Sequence, residues 1–459
     1  MTFVEMLHVD NLRSLYKAQL SAKSTKGVDG IMPSAFRTDT ELSIIERKCL
    51  NDTYEFSPYL EKLVSKGVNK NPRVLSVATV RDRLTLIVLK EYLNDIYADC
   101  INRELPNKKV GDIYSFMQKN PNFKYLKTDI KGFYENIHHE KLLNTLKKRI
   151  TDKHVLILIE KAITTPTFCS SVPKLDRINK KNIKGIPQGL AVSNILAEIY
   201  LSELDAFMHK KKLSFYSRYV DDILIIMPKK VSEMKTELTS ILRNLDLQLN
   251  KAKTKIAKVQ DGVLFLGYNI KDDMIFIPEK KISLFLTRIA GLFTEYEKMF
   301  MNNALRPIVF KTNDKGLRDF FIETLNKKIT GASSQLKRYG WISYYSQITD
   351  YSIFYRIDRK IQEFCKKSNL LGKEIPNELK SLHRTYFEIR YNYKDSDYIY
   401  NYDKIDTVSK KLGALRKANL IVGDAITEEQ IIILYEKLKQ KELKSFEKDA
   451  GFMTGSISG

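Results

Sequence analysis

Two adjacent aspartates, Asp221 and Asp222, stand in the middle of SFYSRYVDDILIIMP (214–228), a run otherwise dominated by aromatic and β-branched residues. A segment this apolar has to be buried, and burying two neighbouring carboxylates is expensive unless something compensates their charge. The flanking residues predict a β-hairpin with the doublet at its turn. Two readings stay open on the doublet alone: a solvated Asp-Asp turn, or a pair held for a divalent cation.

Asp129 bears on that choice. FKYLKTDI (123–130) alternates like a half-buried strand and ends in a carboxylate. If this strand lies beside the hairpin, Asp129, Asp221 and Asp222 meet at one sheet edge. Hard cations such as Mg²⁺ take oxygen ligands and leave positions for water and phosphate oxygens. Two of them suit in-line phosphoryl transfer, one activating a hydroxyl and the other stabilising the leaving group.

The rest of the chain alternates helical and strand signals up to about residue 280. Residues 1–25 read as one amphipathic helix with Phe3, Leu7, Leu12, Leu15 and Leu20 on its apolar face. VLSVATV reads as a strand, followed by a helix that Asp82 would cap. FYENIHHEKLLNTLKKRI turns to a helical period, residues 185–205 form a glycine-punctuated turn and helix, 231–249 a further helix, and VLFLGYNI (263–270) one strand. Beyond 280 the strand signals stop, helices rich in Lys, Tyr and Phe follow, and GFMTGSISG is a polar, frayed tail.

Strand-Asp129, the GIPQG turn at 185–189, the YVDD hairpin at 219–222 and LGYNI at 266–270 follow the order and spacing of reverse transcriptase motifs. STKGVDGI (24–31), PRVLSVATVRDRL (72–84) and DIKGFYENIHHEKL (129–142) resemble bacterial enzymes of the group II intron and retron-like clade. LKRYGWISYYSQITDYSIFYRIDRKI (336–361) is similar to the thumb of intron-encoded enzymes. In the intron-encoded enzymes a proline usually follows the motif serine, and a DNA-binding or nuclease module often ends the chain. Here Asn194 follows Ser193 and no His/Cys cluster comes after, a form closest to stand-alone, abortive-infection-type defence enzymes.

The resemblance implies an α+β right-hand polymerase fold with an antiparallel palm sheet. Its divisions are an N-terminal helix and fingers over 1–110, a palm over 111–285, a helical thumb over 286–370 and a helical C-terminal extension over 371–459. It implies an RNA-directed DNA polymerase in antiphage defence, copying a dedicated non-coding RNA into DNA from dNTPs with two Mg²⁺ ions or Mn²⁺ in their place. A group II intron-type maturase and an untemplated or protein-primed polymerase are the alternatives. An RNA-templated RNA polymerase is disfavoured by a bulky sugar gate.

The resemblance also distributes roles. Asp129 and Asp221 match the principal metal ligands, Asp222 the second hairpin carboxylate, and Ile130 is counted with the metal positions. Tyr134, or less well Phe133, matches the ring that excludes a 2′-hydroxyl, against the reading of a palm core aromatic. Gln188 matches a contact to the incoming nucleotide, its glycine neighbours allowing close backbone approach. Arg73 matches a triphosphate clamp, with Arg81 or Arg83 as a second contact, Arg83 alternatively pairing with Asp82 or a palm carboxylate. Lys253 matches a lysine near the departing pyrophosphate or lies on a solvated face. His138 and His139 read as structural. Trp341, Tyr344 and Tyr345 read as thumb core or as a base-stacking surface, and DSDYIYNYDKID (395–406) as an exposed loop or a priming site.

Charge supports a polyanionic partner: 77 Lys and Arg against 55 Asp and Glu give +22. Cys49, Cys100, Cys169 and Cys365 are scattered without CxxC spacing, which excludes a zinc-ribbon module and fits a reduced, cytoplasmic setting. No run approaches the roughly 18 apolar residues of a membrane span, and no signal peptide is expected. Self-association stays open.

Overall fold

The segments rich in β-branched residues form two small sheets in the first half of the chain, and one of them carries the aspartates. The computed structural model describes residues 1–450 apart from 66–70, 102–103, 174–176, 178–179, 212, 394–395, 419 and 422–425. The expected frayed tail therefore lies outside the described residues. Two units emerge, Met1–Glu104 with Asn120–Val259, and Leu105–Lys119 with Gln260–Met453. Pro106–Lys119 belongs to the second: Asn107 Nδ2 donates to Ser346 Oγ at 3.2 Å and the Tyr114 hydroxyl to the Asp273 carbonyl at 2.8 Å. The boundaries expected at 110, 285 and 370 thus fall inside these units.

In the first unit, β1 (Tyr59–Val64) pairs antiparallel with β2 (Arg73–Val77) and parallel with β4 (Thr167–Phe168). A four-stranded sheet runs in the order β5 (Phe215–Tyr219), β6 (Asp222–Met227), β3 (Lys124–Asp129) and β7 (Lys255–Lys258), every neighbouring pair antiparallel. Ile223 to Ile226 are fully buried, as expected of a central strand covered on both faces. Leu126, Ile223 and Ile225 join a core with Leu196 of the Ser193–Tyr200 helix and Leu238 and Leu242 of the Val231–Asn244 helix. The Val80–Ile96 helix is apolar around most of its circumference and runs through this core.

Local hydrogen bonding corrects several sequence expectations. The N-terminal helix is two, Phe3–Leu7 and Val9–Gln19, because His8 is extended (ψ 139°) and Asn11 Nδ2 satisfies the Glu5 carbonyl at the break. Thr79, not Asp82, caps the Val80–Ile96 helix: its hydroxyl accepts the Asp82 N–H at 3.2 Å. Asp82 is instead buried in the first turn, accepting from the Tyr54 hydroxyl (2.9 Å), the Thr79 hydroxyl (2.7 Å) and the Ser57 N–H (3.1 Å).

In the second unit VLFLGYNI is two strands, β8 (Val263–Phe265) and β9 (Tyr268–Lys271), since Leu266 and Gly267 both turn at positive φ. β10 (Met274–Phe276) completes that antiparallel sheet. Strands also persist beyond 280, contrary to expectation: β11 (Ala332–Ser334), β12 (Lys337–Tyr339) and β13 (Tyr400–Asn401) form a short sheet between long helices. Segments of two or three residues are too short to show a strand period. Trp341 stacks on Phe285 at 4.4 Å inside the helical core, and no helix among the described residues is long and apolar enough to cross a membrane.

Candidate active site

β3 and β6 bring the first and last of the three aspartates together, since Asp129 and Asp222 are direct partners in the antiparallel register. Asp221 lies in the turn between β5 and β6, where the preceding Val220 has φ 57°. That conformation is uncommon for a β-branched residue and strains the turn. Hydrogen bonds hold it: Arg218 Nη1 donates to the Val220 carbonyl at 2.9 Å and the Ile130 N–H to the Asp221 carbonyl at 3.2 Å. The Asn250 N–H fixes the Asp129 carbonyl at 2.8 Å.

The electrostatics of the three carboxylates differ. Asp129 is 5% exposed; its Oδ2 receives the Lys253 ammonium, and its Oδ1 is buried without a hydrogen-bond partner. Burial, then Asp222, then Asp129 push the Asp221 carboxyl up to about 6. Burial also raises Asp222, against the nearby Lys127. Among the described residues no three His, Cys, Asp or Glu side chains converge closely enough to form a metal-ligand cluster. Ile130 is a buried core side chain, so all it could offer a cation is its carbonyl.

The GIPQG turn is fastened beside this edge. The Ile186 N–H donates to the Tyr134 carbonyl and the Gly185 N–H to the Ile137 carbonyl, both at 2.8 Å, while the Ser76 N–H of β2 donates to the Gln188 carbonyl at 2.7 Å. Gly185 is required here: with φ 83°, a Cβ would stand 2.8 Å from the Glu135 carbonyl oxygen. Gln188 Nε2 reaches Glu135 Oε1 at 2.9 Å. Tyr134 feels both Arg73 and Asp221 electrostatically, and burial keeps its hydroxyl protonated. Tyr134, Gln188, Arg73 and the aspartates therefore share one neighbourhood.

Other expected residues have structural duties. Phe133 is a core side chain, whereas Tyr134 is partly buried against that core. Arg81 Nε is engaged by Glu41 at 2.6 Å. Arg83 holds the carbonyls of Ala78 (2.9 Å) and Thr25 (2.7 Å) rather than a carboxylate. His139 Nε2 bonds the Gly185 carbonyl at 2.7 Å, a structural role as expected. Trp341 and Tyr345 are core residues, not a stacking surface. In the 395–406 stretch, Asp395 lies outside the described residues; Tyr402 is buried with its hydroxyl on Glu442, and the Tyr398 hydroxyl accepts the Ser381 N–H at 2.8 Å. These tyrosines are packed, neither a loose loop nor presented for priming.

Sequence reasoning missed Arg218. Its guanidinium is buried and binds Glu198 Oε2 at 2.7 Å and both carboxylate oxygens of Asp205, while the Tyr216 hydroxyl also reaches Asp205 at 2.7 Å. The only signal was an arginine inside an otherwise apolar strand.

Residues 64–270 match the family model "Reverse transcriptase (RNA-dependent DNA polymerase)". Protein YkfC of Escherichia coli (strain K12) is 24% identical over 302 residues, 55% of this chain and 77% of YkfC. The group II intron-encoded protein LtrA of Lactococcus lactis subsp. cremoris is 24% identical over 234 residues, half of this chain and 37% of LtrA. A telomerase of Candida albicans, solved with a TWJ fragment of telomeric RNA, aligns at TM-score 0.43 and 15% identity over 87% of this chain and 64% of that one. Over residues 64–270 the chain is thus similar to reverse transcriptases, RNA-directed DNA polymerases, and YkfC and the group II intron-encoded proteins are among the proteins it resembles.

Proposed function

We propose that this chain copies an RNA template into DNA at the Asp129, Asp221 and Asp222 edge, using two divalent ions. One observation carries the reading: a buried, unpartnered Asp129 Oδ1 directly across the register from Asp222, with Asp221 beside it. An orphan carboxylate oxygen among mutually repelling carboxylates needs a cation, and a single lysine ammonium does not neutralise three.

Asp129, Asp221, the Ile130 carbonyl and in part Asp222 would hold the ions. When bound, these ions supply activation of the 3′-hydroxyl and stabilisation of the pyrophosphate. The residues themselves select and orient. Tyr134 presents its ring where a 2′-hydroxyl would clash, Gln188 lies along the nucleotide, and Arg73 clamps the triphosphate. The 3′-oxygen bonds to the α-phosphorus as the bond to the bridging oxygen breaks. Lys253, exposed on a flexible stem, turns from Asp129 to protonate the departing pyrophosphate. Around this site we divide the chain into fingers, palm, thumb and C-terminal extension.

For the biology we propose a cytoplasmic antiphage role with a dedicated non-coding RNA template, supported by the Ser193-Asn194 form of the motif. The intron-encoded relatives favour a second reading, a maturase that binds intron RNA. Sequencing nucleic acid that co-purifies with the protein separates the two: DNA complementary to one small RNA supports the first, intron RNA without DNA the second.

A further inference from the structure

Trp341 and Tyr345 are buried, yet the second unit carries an aromatic surface elsewhere. On the Leu382–Tyr391 helix, His383, Phe387 and Tyr391 recur at four-residue intervals, and on the Ser352–Cys365 helix and its cap Tyr351 and Tyr355 do the same. Such spacing places each set along one helix face. The rings meet across the two helices: Tyr355 stacks on His383 at 4.4 Å, Tyr351 packs edge-on to Phe387 at 5.7 Å, and Phe387 lies nearly parallel to Tyr391 at 6.1 Å. Four of them face solvent, with Tyr351 49%, Tyr355 52%, Phe387 37% and Tyr391 73% exposed.

A contiguous exposed aromatic row is unusual on a protein surface and marks a contact site. Its setting is basic. Arg356, Arg359, Arg384 and Arg390 are exposed on the same two helices. Of the carboxylates there, Asp358 is buried, Glu388 is largely covered beside Arg384, and Glu363 is tied to Lys360 at 2.8 Å. The row is also prefixed in place, because Asp358 accepts the N–H groups of Leu382 (2.7 Å) and His383 (3.1 Å) and so fixes the start of one helix on the other.

Flat rings alternating with arginines match a strand whose bases are unpaired and whose backbone is anionic. A duplex hides its base faces, and an apolar protein partner would have to bury exposed arginine charge, Arg356 being shared with Glu279 at 2.8 Å and Arg384 with Glu388 at 3.7 Å. Resting on the polymerase reading, in which the RNA template is the strand that arrives unpaired, we infer that Tyr351, Tyr355, Phe387 and Tyr391 form a stacking site for single-stranded RNA.

The test is fluorescence anisotropy of the full chain with a labelled oligo(U) strand and with a blunt RNA–DNA duplex. Replacing Tyr355, Phe387 and Tyr391 together by Ala removes no core side chain. Single-strand affinity should fall by about tenfold or more, since each stacked base contributes roughly 1–3 kcal/mol. Duplex affinity should move far less, and a Tyr355→Trp, Phe387→Trp, Tyr391→Trp variant should bind as the parent does. An unchanged single-strand affinity overturns the inference. So does an equal loss on both probes, or a changed sedimentation coefficient with unchanged RNA binding, which would mark a face for a second copy. Because binding needs no catalysis, single-strand binding that depends on the aromatic row, by a parent chain that incorporates no dNTP, supports the site while removing the polymerase reading.

Discussion

The Tyr134 hydroxyl donates a 2.8 Å hydrogen bond to Asn194 Oδ1. The aromatic proposed as the sugar gate and the asparagine standing where a proline is usual in intron-encoded enzymes thus form one unit. A proline at 194 has no side-chain acceptor, and it would leave the Tyr134 hydroxyl to find another. The bond fixes the ring's direction, so on the proposed reading sugar discrimination depends on Asn194 as well as on Tyr134.

Asn194→Ala is expected to lower the preference for dNTP over rNTP, measured as the ratio of kcat/KM values, while leaving the ring in place. It should also cost about 1–3 kcal/mol of stability through an unsatisfied buried hydroxyl. Tyr134→Ala removes the ring and should admit rNTPs more fully. An Asn194→Ala enzyme with the parent's ratio would show that packing alone aims the ring.

Asp82 gives a pH prediction. Burial, partly offset by the hydrogen bonds from Thr79, Tyr54 and Ser57, pushes its carboxyl up to about 6 from an ordinary 3.8. Between these values the folded chain binds the proton that the unfolded chain releases, so stability falls as pH rises from about 4 to 6 and the loss is complete above 6. The contribution is at most roughly 3 kcal/mol. Urea midpoints across pH 4 to 7 should show this decline, and Asp82→Asn should make it shallower, the remainder coming from Asp221, whose carboxyl is also raised to about 6, and from Asp222. A decline of the same size in the variant would assign it to other groups.

Arg218 neutralises Glu198 and Asp205 and holds the turn before Asp221. Arg218→Ala strands two half-buried carboxylates, and a loss of about 3–5 kcal/mol is expected in denaturant unfolding. Arg218→Lys should restore little, because a lysine cannot reproduce the forked geometry. Full rescue by lysine would mean that charge alone matters there.

Lys253→Ala should lower kcat by on the order of 10²-fold with KM for dNTP little changed, as expected of a proton donor to the leaving group. A rise in KM alone would make Lys253 a binding residue.

Legibility in the sequence followed the range of the interaction. Asp129, the hairpin doublet and the GIPQG turn could be placed because strand alternation and glycine punctuation are local signals. Arg81 could not, since its partner Glu41 lies 40 residues away and no pattern joins them. Thr79 and Asp82 are both good caps, and the buried Tyr54 hydroxyl that claims Asp82 decided between them. Tyr400 and Tyr402 resemble a polar loop until the helix carrying Glu442 comes against them, and Tyr398 until Lys380, Ser381 and Arg384 do. The exposed aromatic row was hidden for the opposite reason: rings at helical spacing ordinarily mean core.

The central claim is tested most directly by dNTP incorporation on an RNA template with a DNA primer and Mg²⁺, comparing the parent chain with Asp221→Asn. The account predicts that the parent extends the primer, that a chelator abolishes extension, and that the variant falls to background while melting at or above the parent's temperature, a repelling charge having been removed. A folded Asp221→Asn protein that extends the primer as fast as the parent would contradict it.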